Sequence, residues 1–210
     1  GLGPARARAR GAAGADVLPH ASRTEPADRA AAIASEHRVK ASCLAADLEK
    51  REEADTLIAR AIADAGQLDI LVNNAGIIRR ADAVEYTDED WDAVLEVDLS
   101  SVFRLCRAAG RHMLARGRGK IVNISSLLAF QGGIRVPAYA AAKAGVAQLT
   151  KALANEWAGK GVNVNAIAPG YIRTDNTRAL VEDKVRHTQI LERIPAGRWG
   201  EPHDLAGAVV

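Results

Sequence analysis

The most informative part of this chain is the segment Ile121-Val122-Asn123-Ile124-Ser125-Ser126, followed by Pro137-Ala138-Tyr139-Ala140-Ala141-Ala142-Lys143. An apolar run typical of a buried strand ends in two serines, and an alanine-rich helical pattern follows. Tyr139 and Lys143 are four residues apart, so both side chains lie on one face of that helix. An ammonium group favours the ionised form of a nearby phenol, whose ordinary pKa is about 10. The hydroxyl of Ser126, brought to the same place, can hydrogen-bond a substrate oxygen whose charge changes during a reaction.

The composition is that of one ordinary globular domain. The chain has 210 residues, 48% apolar and 26% charged, which is enough apolar material for a sizeable core. The net charge is +2 and the basic residues are dispersed apart from Arg6, Arg8 and Arg10, which argues against a nucleic-acid partner. The sequence shows no membrane-spanning run, no signal peptide and no metal-ligand spacing among its histidines. Cys43 and Cys106 have no paired spacing, so we predict reduced thiols and a cytoplasmic location.

Strand and helix patterns alternate along the chain, which predicts an α/β fold with a doubly wound parallel sheet. The expected strands are 39–46, 69–73, 120–125 and 162–168, and the expected helices are 1–16, 26–36, 50–66, 88–115, 138–158 and 181–193, with another beginning at Pro202. Ligands of such sheets bind beyond the carboxyl ends of the strands. The residues that follow four of these strands are small or polar, namely Asp47, 73–76, Ser125-Ser126 and Pro169-Gly170. We therefore expect one cleft at that edge of the sheet.

Taken together, these motifs resemble the short-chain dehydrogenase/reductase family over nearly the whole chain. The features that carry the resemblance are Asn73-Asn74-Ala75-Gly76 after a strand, Asp47-Leu48, Ser126 ahead of Tyr139-x-x-x-Lys143, and Pro169-Gly170. The resemblance implies a Rossmann-like sheet and an enzyme that transfers a hydride to or from a nicotinamide cofactor. It also implies that Tyr139 acts as general base or acid, and that Ser126 steadies the substrate oxygen. Lys143 is expected to lower the pKa of Tyr139 and to hold the nicotinamide ribose.

The same resemblance implies a set of cofactor-binding residues along the predicted cleft. They are Gly1, Gly3, Asp47, Leu48, Asn74, Ala75, Gly76, Tyr139, Lys143, Pro169, Gly170, Ile172 and Thr174. The residue after the second strand of such folds selects the cofactor, since an acid suits NAD and an arginine suits NADP. Here the segment reads His20-Ala21-Ser22-Arg23, which has no acid and an ambiguous arginine. The subfamily that the chain resembles favours NAD, with NADP as the alternative.

Four further stretches resemble the bacterial 2-dehydro-3-deoxy-D-gluconate 5-dehydrogenases, also called 2-deoxy-D-gluconate 3-dehydrogenases. These stretches are 73–82, 130–137, 154–157 and 194–200. The likeness implies a deoxy-keto sugar acid as the substrate and a place in sugar-acid metabolism such as pectin degradation. The alternatives are a 3-oxoacyl-carrier-protein reductase, another sugar-alcohol dehydrogenase of the same family, and a truncated fold that is catalytically silent.

Three arginines and a glutamine are candidates for substrate binding. Arg79, Arg80 and Arg135 can each hold a carboxylate through two hydrogen bonds. Gln131 lies between Ser126 and the helix and can meet substrate hydroxyls. Exposed arginines are common, so an ordinary surface position is the competing interpretation for each of them.

The chain departs from the family pattern at its two ends. Of the family's glycine-rich phosphate turn only Gly1 and Gly3 are present, and the family's first and last strands have no counterpart. We therefore expect 1–210 to form a single dinucleotide-binding catalytic domain that is truncated at both ends. The helices 88–115 and 138–158 carry surplus apolar positions, which fits a homodimer or homotetramer of the full-length parent.

The chain also departs from the family pattern inside two helices. Asp98, which we count among the candidate catalytic residues, stands where the family usually has an asparagine tied to a helix kink and a proton relay. Either the exchange is benign, or the carboxylate pairs with Lys143 and weakens its hold on Tyr139. The three arginines of the first helix stand at positions that are largely apolar in the family. They indicate either an altered N-terminus or a helix whose arginines reach solvent.

Overall fold

The computed structural model describes residues 2–21 and 26–209. The predicted cofactor residue Gly1 lies outside these ranges, as do Ser22 and Arg23 of the segment expected to select the cofactor. The strands are β1 (His20–Ala21), β2 (Leu44–Ala45), β3 (Ile70–Asn73), β4 (Gly119–Ile124) and β5 (Val162–Ile167). The helices are α1 (Leu2–Ala12), α2 (Pro26–His37), α3 (Arg51–Ala65), α4 (Asp88–Leu95), α5 (Ser101–Arg116), α6 (Leu128–Gln131), α7 (Pro137–Trp157), α8 (Arg178–Glu182) and α9 (Lys184–Leu191). A π-helical segment, Glu96–Ser100, joins α4 to α5, and short 3-10 turns occupy Ala83–Glu85, Ala158–Lys160, Asp175–Thr177 and Pro202–Leu205.

The paired strands run parallel, which confirms the predicted fold class. β1 pairs with β2, and β3, β4 and β5 form a second sheet in that order. The register places Asn73 opposite Asn123 and Ile124 opposite Ile167, so the three strands of the second sheet end at a similar level. Because these strands are parallel, the residues that follow them meet at one edge, where the sequence predicts the cleft.

The core lies between the three-stranded sheet and helices α3, α5 and α7. α3 buries four apolar residues at helical spacing, namely Ala54, Leu57, Ile58 and Ala61. At the far end of α7, Trp157 packs on Gly110 of α5, where a Cβ would come within 2.7 Å of the indole ring. α5 and α7 are therefore held closely together, which positions α7 beside the end of β4.

A chain of buried polar side chains crosses the core beneath the strand ends. The Asn73 amide donates to Asn123 Oδ1 at 2.8 Å and to Cys106 Sγ at 3.2 Å. Asn123 donates in turn to Thr150 Oγ1 at 2.9 Å, and Thr150 donates to the carbonyl of Val146 at 2.7 Å. These bonds join β3, β4, α5 and α7. Because buried polar groups need partners, they favour this packing of the four elements over alternatives.

The strand expected over 39–46 is wrong in its length. Only Leu44–Ala45 forms β2, and an isolated bridge pairs Ala41 with Val17. Pro19 in the facing segment has no N–H to donate, so the ladder is interrupted between the two pairings. Its carbonyl still accepts a hydrogen bond from the Leu44 N–H at 3.1 Å.

The helix expected over 181–193 is wrong in its continuity, because Asp183 divides it into α8 and α9. The Asp183 backbone is extended, and its carboxylate accepts hydrogen bonds from the Val185 and Arg186 N–H groups at 3.0 Å each. An extended residue that caps one helix cannot continue the preceding one. The helix expected to begin at Pro202 is a 3-10 turn, and the one expected over 88–115 is interrupted by the π-helical segment.

Helix α1 ends at Ala12, short of the predicted residue 16, and Gly14 follows in a left-handed conformation with φ 82°. Arg8 reaches solvent and lies 3.6 Å from Glu36, in line with one of the two interpretations of this helix. Arg10 behaves differently, since its Nε is buried and has no hydrogen-bond partner in the described part of the chain. Burial also lowers the pKa of Arg10.

Candidate active site

Ser126 and Tyr139 meet at the carboxyl end of β4. Just beyond the strand, the Ser125 hydroxyl donates to the backbone carbonyl of Lys143 at 2.8 Å, which fastens α7 to the strand end. The buried Ser126 hydroxyl accepts a hydrogen bond from the Leu128 N–H at 3.1 Å and lies near enough to Tyr139 to influence the pKa of its phenol. The predicted serine–tyrosine pair is therefore assembled in the folded chain.

Lys143 is buried beside the tyrosine and pairs with Asp98. Its ammonium group donates to the carbonyl of Ile124 at 3.1 Å and lies 3.2 Å from Asp98 Oδ2. The same nitrogen lies 5.5 Å from the centre of the Tyr139 ring. Asp98 is 0% exposed, and its Oδ1 accepts from the Ile77 N–H at 2.7 Å. Of the two interpretations of Asp98, the structure shows the one in which the carboxylate pairs with the lysine.

The π-helical segment carries one member of this buried ion pair, and Gly76 lies against both members. Asp98 lies in the segment Glu96–Ser100, and such local widening of a helix is frequent at functional sites. A Cβ at Gly76 would lie 3.0 Å from Asp98 Oδ2 and 3.2 Å from Lys143 Nζ. The chain after β3 can therefore pass this close to the pair only because residue 76 has no side chain.

Burial raises the pKa of Tyr139 above its ordinary value, and the negative charge of Asp98 raises it further. The nearby hydroxyl of Ser126 and the positive charge of Arg80 act in the opposite direction without reversing the shift. Burial likewise raises the pKa of Asp98, against the attraction of Lys143. The direction at Tyr139 is opposite to the lowering expected from Lys143. Burial of the phenol is the main physical reason, and the carboxylate of Asp98 adds to it by its own negative charge and by pairing with the ammonium group.

Two of the three candidate arginines are engaged by carboxylates. Arg79 Nε lies 3.3 Å from Asp90 Oδ1, and Arg135 Nε lies 2.9 Å from Asp82 Oδ1. Arg135 also has a left-handed backbone with φ 63°, and its carbonyl accepts from the Ala81 N–H at 3.2 Å. The contacts of Arg135 join the loop before α7 to the loop after β3, and the contact of Arg79 joins the latter loop to α4, so both arginines have a structural role.

Arg80 is exposed, and its positive charge opposes the rise in the pKa of Tyr139. Its guanidinium makes a long hydrogen bond to the carbonyl of Asn176 at 3.4 Å. Gln131, the remaining candidate, is exposed and accepts from Arg193 at 3.5 Å. Of the predicted substrate residues, Arg80 is thus the one whose charge acts on the tyrosine.

The first turn of α1 lies beside the end of β3. A Cβ at Gly3 would come within 3.2 Å of Asn74 Nδ2, so the lack of a side chain at Gly3 permits this approach. Ala75 packs against the main core, and Gly76 adjoins the buried ion pair. Four predicted cofactor residues therefore lie along one path from the start of α1 to the ion pair.

The other predicted cofactor residues follow β2 and β5. Asp47 is partly exposed after β2, whereas the side chain of Leu48 is 5% exposed and belongs to the core. After β5, the carbonyl of Pro169 accepts a hydrogen bond at 3.0 Å from the chain that follows β4. Ile172 is buried, and Thr174 begins a 3-10 turn with a reciprocal cap. Pro169, Ile172 and Thr174 thus follow the strand that pairs with β4, whereas Asp47 and Leu48 follow a strand of the two-stranded sheet.

A family model for short chain dehydrogenases matches residues 1–185. The chain belongs to the short-chain dehydrogenase family. This membership agrees with the resemblance found in the sequence and with the parallel sheet and the serine–tyrosine–lysine cluster of the structure.

Two curated relatives from the short-chain dehydrogenase family carry the same name. The 2-dehydro-3-deoxy-D-gluconate 5-dehydrogenase of Escherichia coli (strain K12) is 55% identical over 168 residues, which are 80% of this chain and 66% of that protein. The protein of the same name from Bacillus subtilis (strain 168) is 49% identical over 210 residues, 100% of this chain and 82% of the relative. A protein from Agrobacterium tumefaciens whose crystal structure contains NADP is 55% identical in sequence, and the two structures superpose with a TM-score of 0.91. The match covers 100% of this chain and 82% of that protein's chain.

No individual role was predicted from the sequence for two groups that shape this short-chain dehydrogenase site. One is the Ser125 hydroxyl, whose signal was its place next to Ser126 at the end of a strand, where neighbouring side chains point to opposite faces. The other is the Ile77 N–H, which holds Asp98. A backbone donor carries no signal in the sequence, because almost every residue has one.

The described part of the short-chain dehydrogenase structure shows neither a metal site nor a membrane-spanning helix. Over residues 2–21 and 26–209, no three or more His, Cys, Asp or Glu side chains are grouped so that they could hold a metal ion. Within the same ranges, none of the helices has both the length and the apolar character that crossing a bilayer requires.

Proposed function

We propose that this chain forms the catalytic part of an oxidoreductase that transfers a hydride between a nicotinamide dinucleotide and a deoxy-keto sugar acid such as 2-dehydro-3-deoxy-D-gluconate. The observation that carries the proposal is the cluster of Ser126, Tyr139 and Lys143 beside the exposed guanidinium of Arg80. The names of the relatives at 55% and 49% identity support the substrate class.

The residues along the sheet edge fit a nicotinamide dinucleotide. The backbone approaches its neighbours closely at Gly3 and Gly76, where a Cβ would meet Asn74 and the buried ion pair. The first turn of α1 offers backbone N–H groups of the kind that bind phosphates. We infer that these residues hold the dinucleotide together with Asp47 and Thr174. When bound, the dinucleotide accepts the electron pair and hydrogen that leave the substrate carbon as a hydride, or returns them in the reverse direction.

The catalytic residues of the chain handle the proton. In alcohol oxidation the substrate C–H and O–H bonds break and the C=O bond forms, so Tyr139 must take the hydroxyl proton as a phenolate. In carbonyl reduction the phenol of Tyr139 returns that proton to the oxygen. Ser126, which lies near Tyr139, orients the same oxygen and stabilises its changing charge. Lys143 supplies the positive charge beside the tyrosine and holds the end of β4 through the carbonyl of Ile124.

Arg80 suits the acid end of the substrate. Its charge acts on Tyr139, and a guanidinium can hold a carboxylate through two parallel hydrogen bonds. Arg135, the other predicted carboxylate ligand, is less suited because Asp82 engages its guanidinium at 2.9 Å. A cation at this place also favours the sugar acid over the thioester substrate of a 3-oxoacyl-carrier-protein reductase.

The cofactor is proposed to be NAD, with NADP as the alternative. The subfamily resemblance supports NAD, whereas the Agrobacterium tumefaciens relative contains NADP. Comparing kcat/KM for the two dinucleotides at a saturating concentration of the keto sugar acid distinguishes them.

The substrate proposal is tested by steady-state kinetics of the parent chain and of Arg80→Gln. The parent should oxidise 2-dehydro-3-deoxy-D-gluconate, and Arg80→Gln should raise its KM by roughly tenfold to a hundredfold, as expected for the loss of a hydrogen bond between charged groups. The KM for the dinucleotide should stay unchanged. Arg111→Gln, an exposed arginine of α5, is the matched control.

Three outcomes would count against the proposed substrate. Activity confined to acetoacetyl thioesters would favour the acyl reductase. Dinucleotide binding without turnover of any of these substrates would favour the silent fold. An unchanged KM in Arg80→Gln would remove that residue from the substrate site.

We also propose that the protein is cytoplasmic and forms a homodimer or homotetramer. The two free thiols, Cys43 and Cys106, support a reducing compartment. Trp91 of α4 and Phe103 of α5 are large apolar side chains that remain 37% and 42% exposed, which supports an interface along these helices. Light scattering coupled to size-exclusion chromatography measures the assembly, and a monomer at micromolar concentration would contradict it.

A further inference from the structure

A buried carboxylate holds the ammonium group that lies next to the catalytic tyrosine. Asp98 is 0% exposed and Lys143 is 4% exposed, so their pair is shielded from solvent. Asp98 Oδ2 lies 3.2 Å from Lys143 Nζ and has no further hydrogen-bond partner in the described part of the chain, while Oδ1 is fixed by the Ile77 N–H at 2.7 Å. Charges interact strongly in such surroundings because water does not screen them.

We propose that Asp98 is a positioning residue that sets the pH range of the reaction by holding Lys143 as its counter-ion. A lysine whose charge is offset in this way stabilises the phenolate of Tyr139 less than an unpaired lysine would. The site therefore keeps Tyr139 as a phenol at neutral pH, which is the form that donates a proton in carbonyl reduction. This inference rests on the proposed function and adds to it the control of the tyrosine's protonation.

The arrangement of charges around Tyr139 supports this assignment. The groups that face the tyrosine come from four elements packed together, namely Lys143 of α7, Asp98 of the π-helical segment, Arg80 after β3 and Ser126 after β4. The same apolar cluster contains Tyr86, whose hydroxyl donates to the carbonyl of Arg79 at 3.4 Å. Asp98 is the one anion in this set. Its charge is the second largest cause of the raised pKa of Tyr139, and burial of the phenol is the largest.

The geometry explains why the carboxylate acts through the lysine as well as directly. The ammonium group lies 3.2 Å from Asp98 Oδ2 but 5.5 Å from the centre of the Tyr139 ring. Gly76 closes over the pair, so Lys143 has little room to move away from its counter-ion. Both effects of the carboxylate, direct repulsion of the phenolate and neutralisation of the lysine, have the same sign.

Replacing Asp98 by asparagine tests the proposal. Asp98→Asn keeps an oxygen that can accept the Ile77 N–H and removes the charge. For alcohol oxidation, the rising limb of log kcat/KM against pH should lie about one pH unit or more lower in Asp98→Asn than in the parent, which is the usual effect of a nearby charge. The falling limb for carbonyl reduction should move in the same direction, while the equilibrium constant of the reaction is unaffected. Asp92→Asn, the same exchange at an exposed position of α4, should leave both profiles unchanged.

A second measurement keeps the test independent of substrate. Ultraviolet titration of the phenolate, taken as the difference between each protein and its Tyr139→Phe counterpart, should show a lower midpoint in Asp98→Asn than in the parent. Asp98→Ser, which also removes the charge but leaves space for water, should shift the midpoint the same way if the asparagine variant does not fold.

The outcomes separate the two proposals. Equal phenolate midpoints in the parent and in the folded charge-removing variants would overturn the role of Asp98. A shifted midpoint in a protein that does not turn over the keto sugar acid would support Asp98 and reject the proposed substrate instead. A midpoint that moves to higher pH would also overturn the proposal, because it would mean that the carboxylate helps the lysine stabilise the phenolate.

Discussion

Replacing Lys143 by methionine should destabilise the protein strongly, independently of any effect on activity. Methionine matches the aliphatic part of the lysine side chain and removes the ammonium group that lies 3.2 Å from Asp98 Oδ2. Asp98 is 0% exposed, so the variant leaves a buried carboxylate whose remaining partner is the Ile77 N–H. Breaking a buried ion pair in this way lowers the free energy of unfolding by about 3–5 kcal/mol.

The loss of stability should depend on pH in a defined direction. Burial already raises the pKa of Asp98, and removing Lys143 takes away the attraction that opposes this rise. A carboxyl group whose pKa is higher in the folded than in the unfolded state contributes stability below its unfolded pKa and loses it as pH rises through the folded value. The deficit of Lys143→Met relative to the parent should therefore be largest at alkaline pH and shrink toward acid pH.

Urea denaturation followed by tryptophan fluorescence measures this effect, since the chain has three tryptophans. Lys151→Met, an exposed lysine of the same helix, is the matched control and should change the free energy of unfolding by less than about 0.5 kcal/mol. The double variant Lys143→Met with Asp98→Asn should recover much of the loss, because it contains no buried charge at this place. A single variant as stable as the control, or a double variant no better than the single one, would refute this account of the pair.

The remaining predictions concern backbone and thiol chemistry. Gly161 has φ 82°, and a Cβ there would lie 2.0 Å from the carbonyl oxygen of Gly117. Gly161→Ala should therefore lower the free energy of unfolding by more than the roughly 1–2 kcal/mol that a left-handed backbone alone would cost. Gly159→Ala, where a Cβ meets nothing within 4 Å, should be neutral or stabilising in the same denaturation assay, and equal effects at both sites would contradict the argument. Burial raises the pKa of Cys106 to about 12. An aromatic disulfide reagent should therefore modify Cys43 alone in the native protein and both thiols after unfolding. Rapid modification of two thiols in the native protein would contradict the burial of Cys106.

Much of the site was predictable from local patterns. The strand 120–125 and the helix 138–158 differ from β4 and α7 by one residue at each end. These elements are fixed by the periodicity of neighbouring residues, which the sequence displays directly. The four-residue spacing of Tyr139 and Lys143 is a property of any helix, so their shared face needed no tertiary information.

The strand expected over 39–46 shows where local patterns fail. Its residues suit a strand, but pairing also requires a partner with N–H groups in register, and Pro19 withholds one from the facing segment. Likewise, nothing in the arginines themselves distinguishes Arg80 from Arg135. The difference lies in a carboxylate 2.9 Å from one of them, supplied by a loop from elsewhere in the chain.

Local sequence patterns were enough to predict which groups carry the chemistry: a serine after a strand, then a tyrosine and a lysine on one helix face. The protonation of the tyrosine, in contrast, depends on how the elements pack. Whether Asp98 is benign or governs the lysine depends on a 3.2 Å approach between two elements and on the exclusion of water from both groups. Spacing along a chain specifies which side chains share a helix face, whereas charge interactions depend on distances and burial that exist only after the helices have packed.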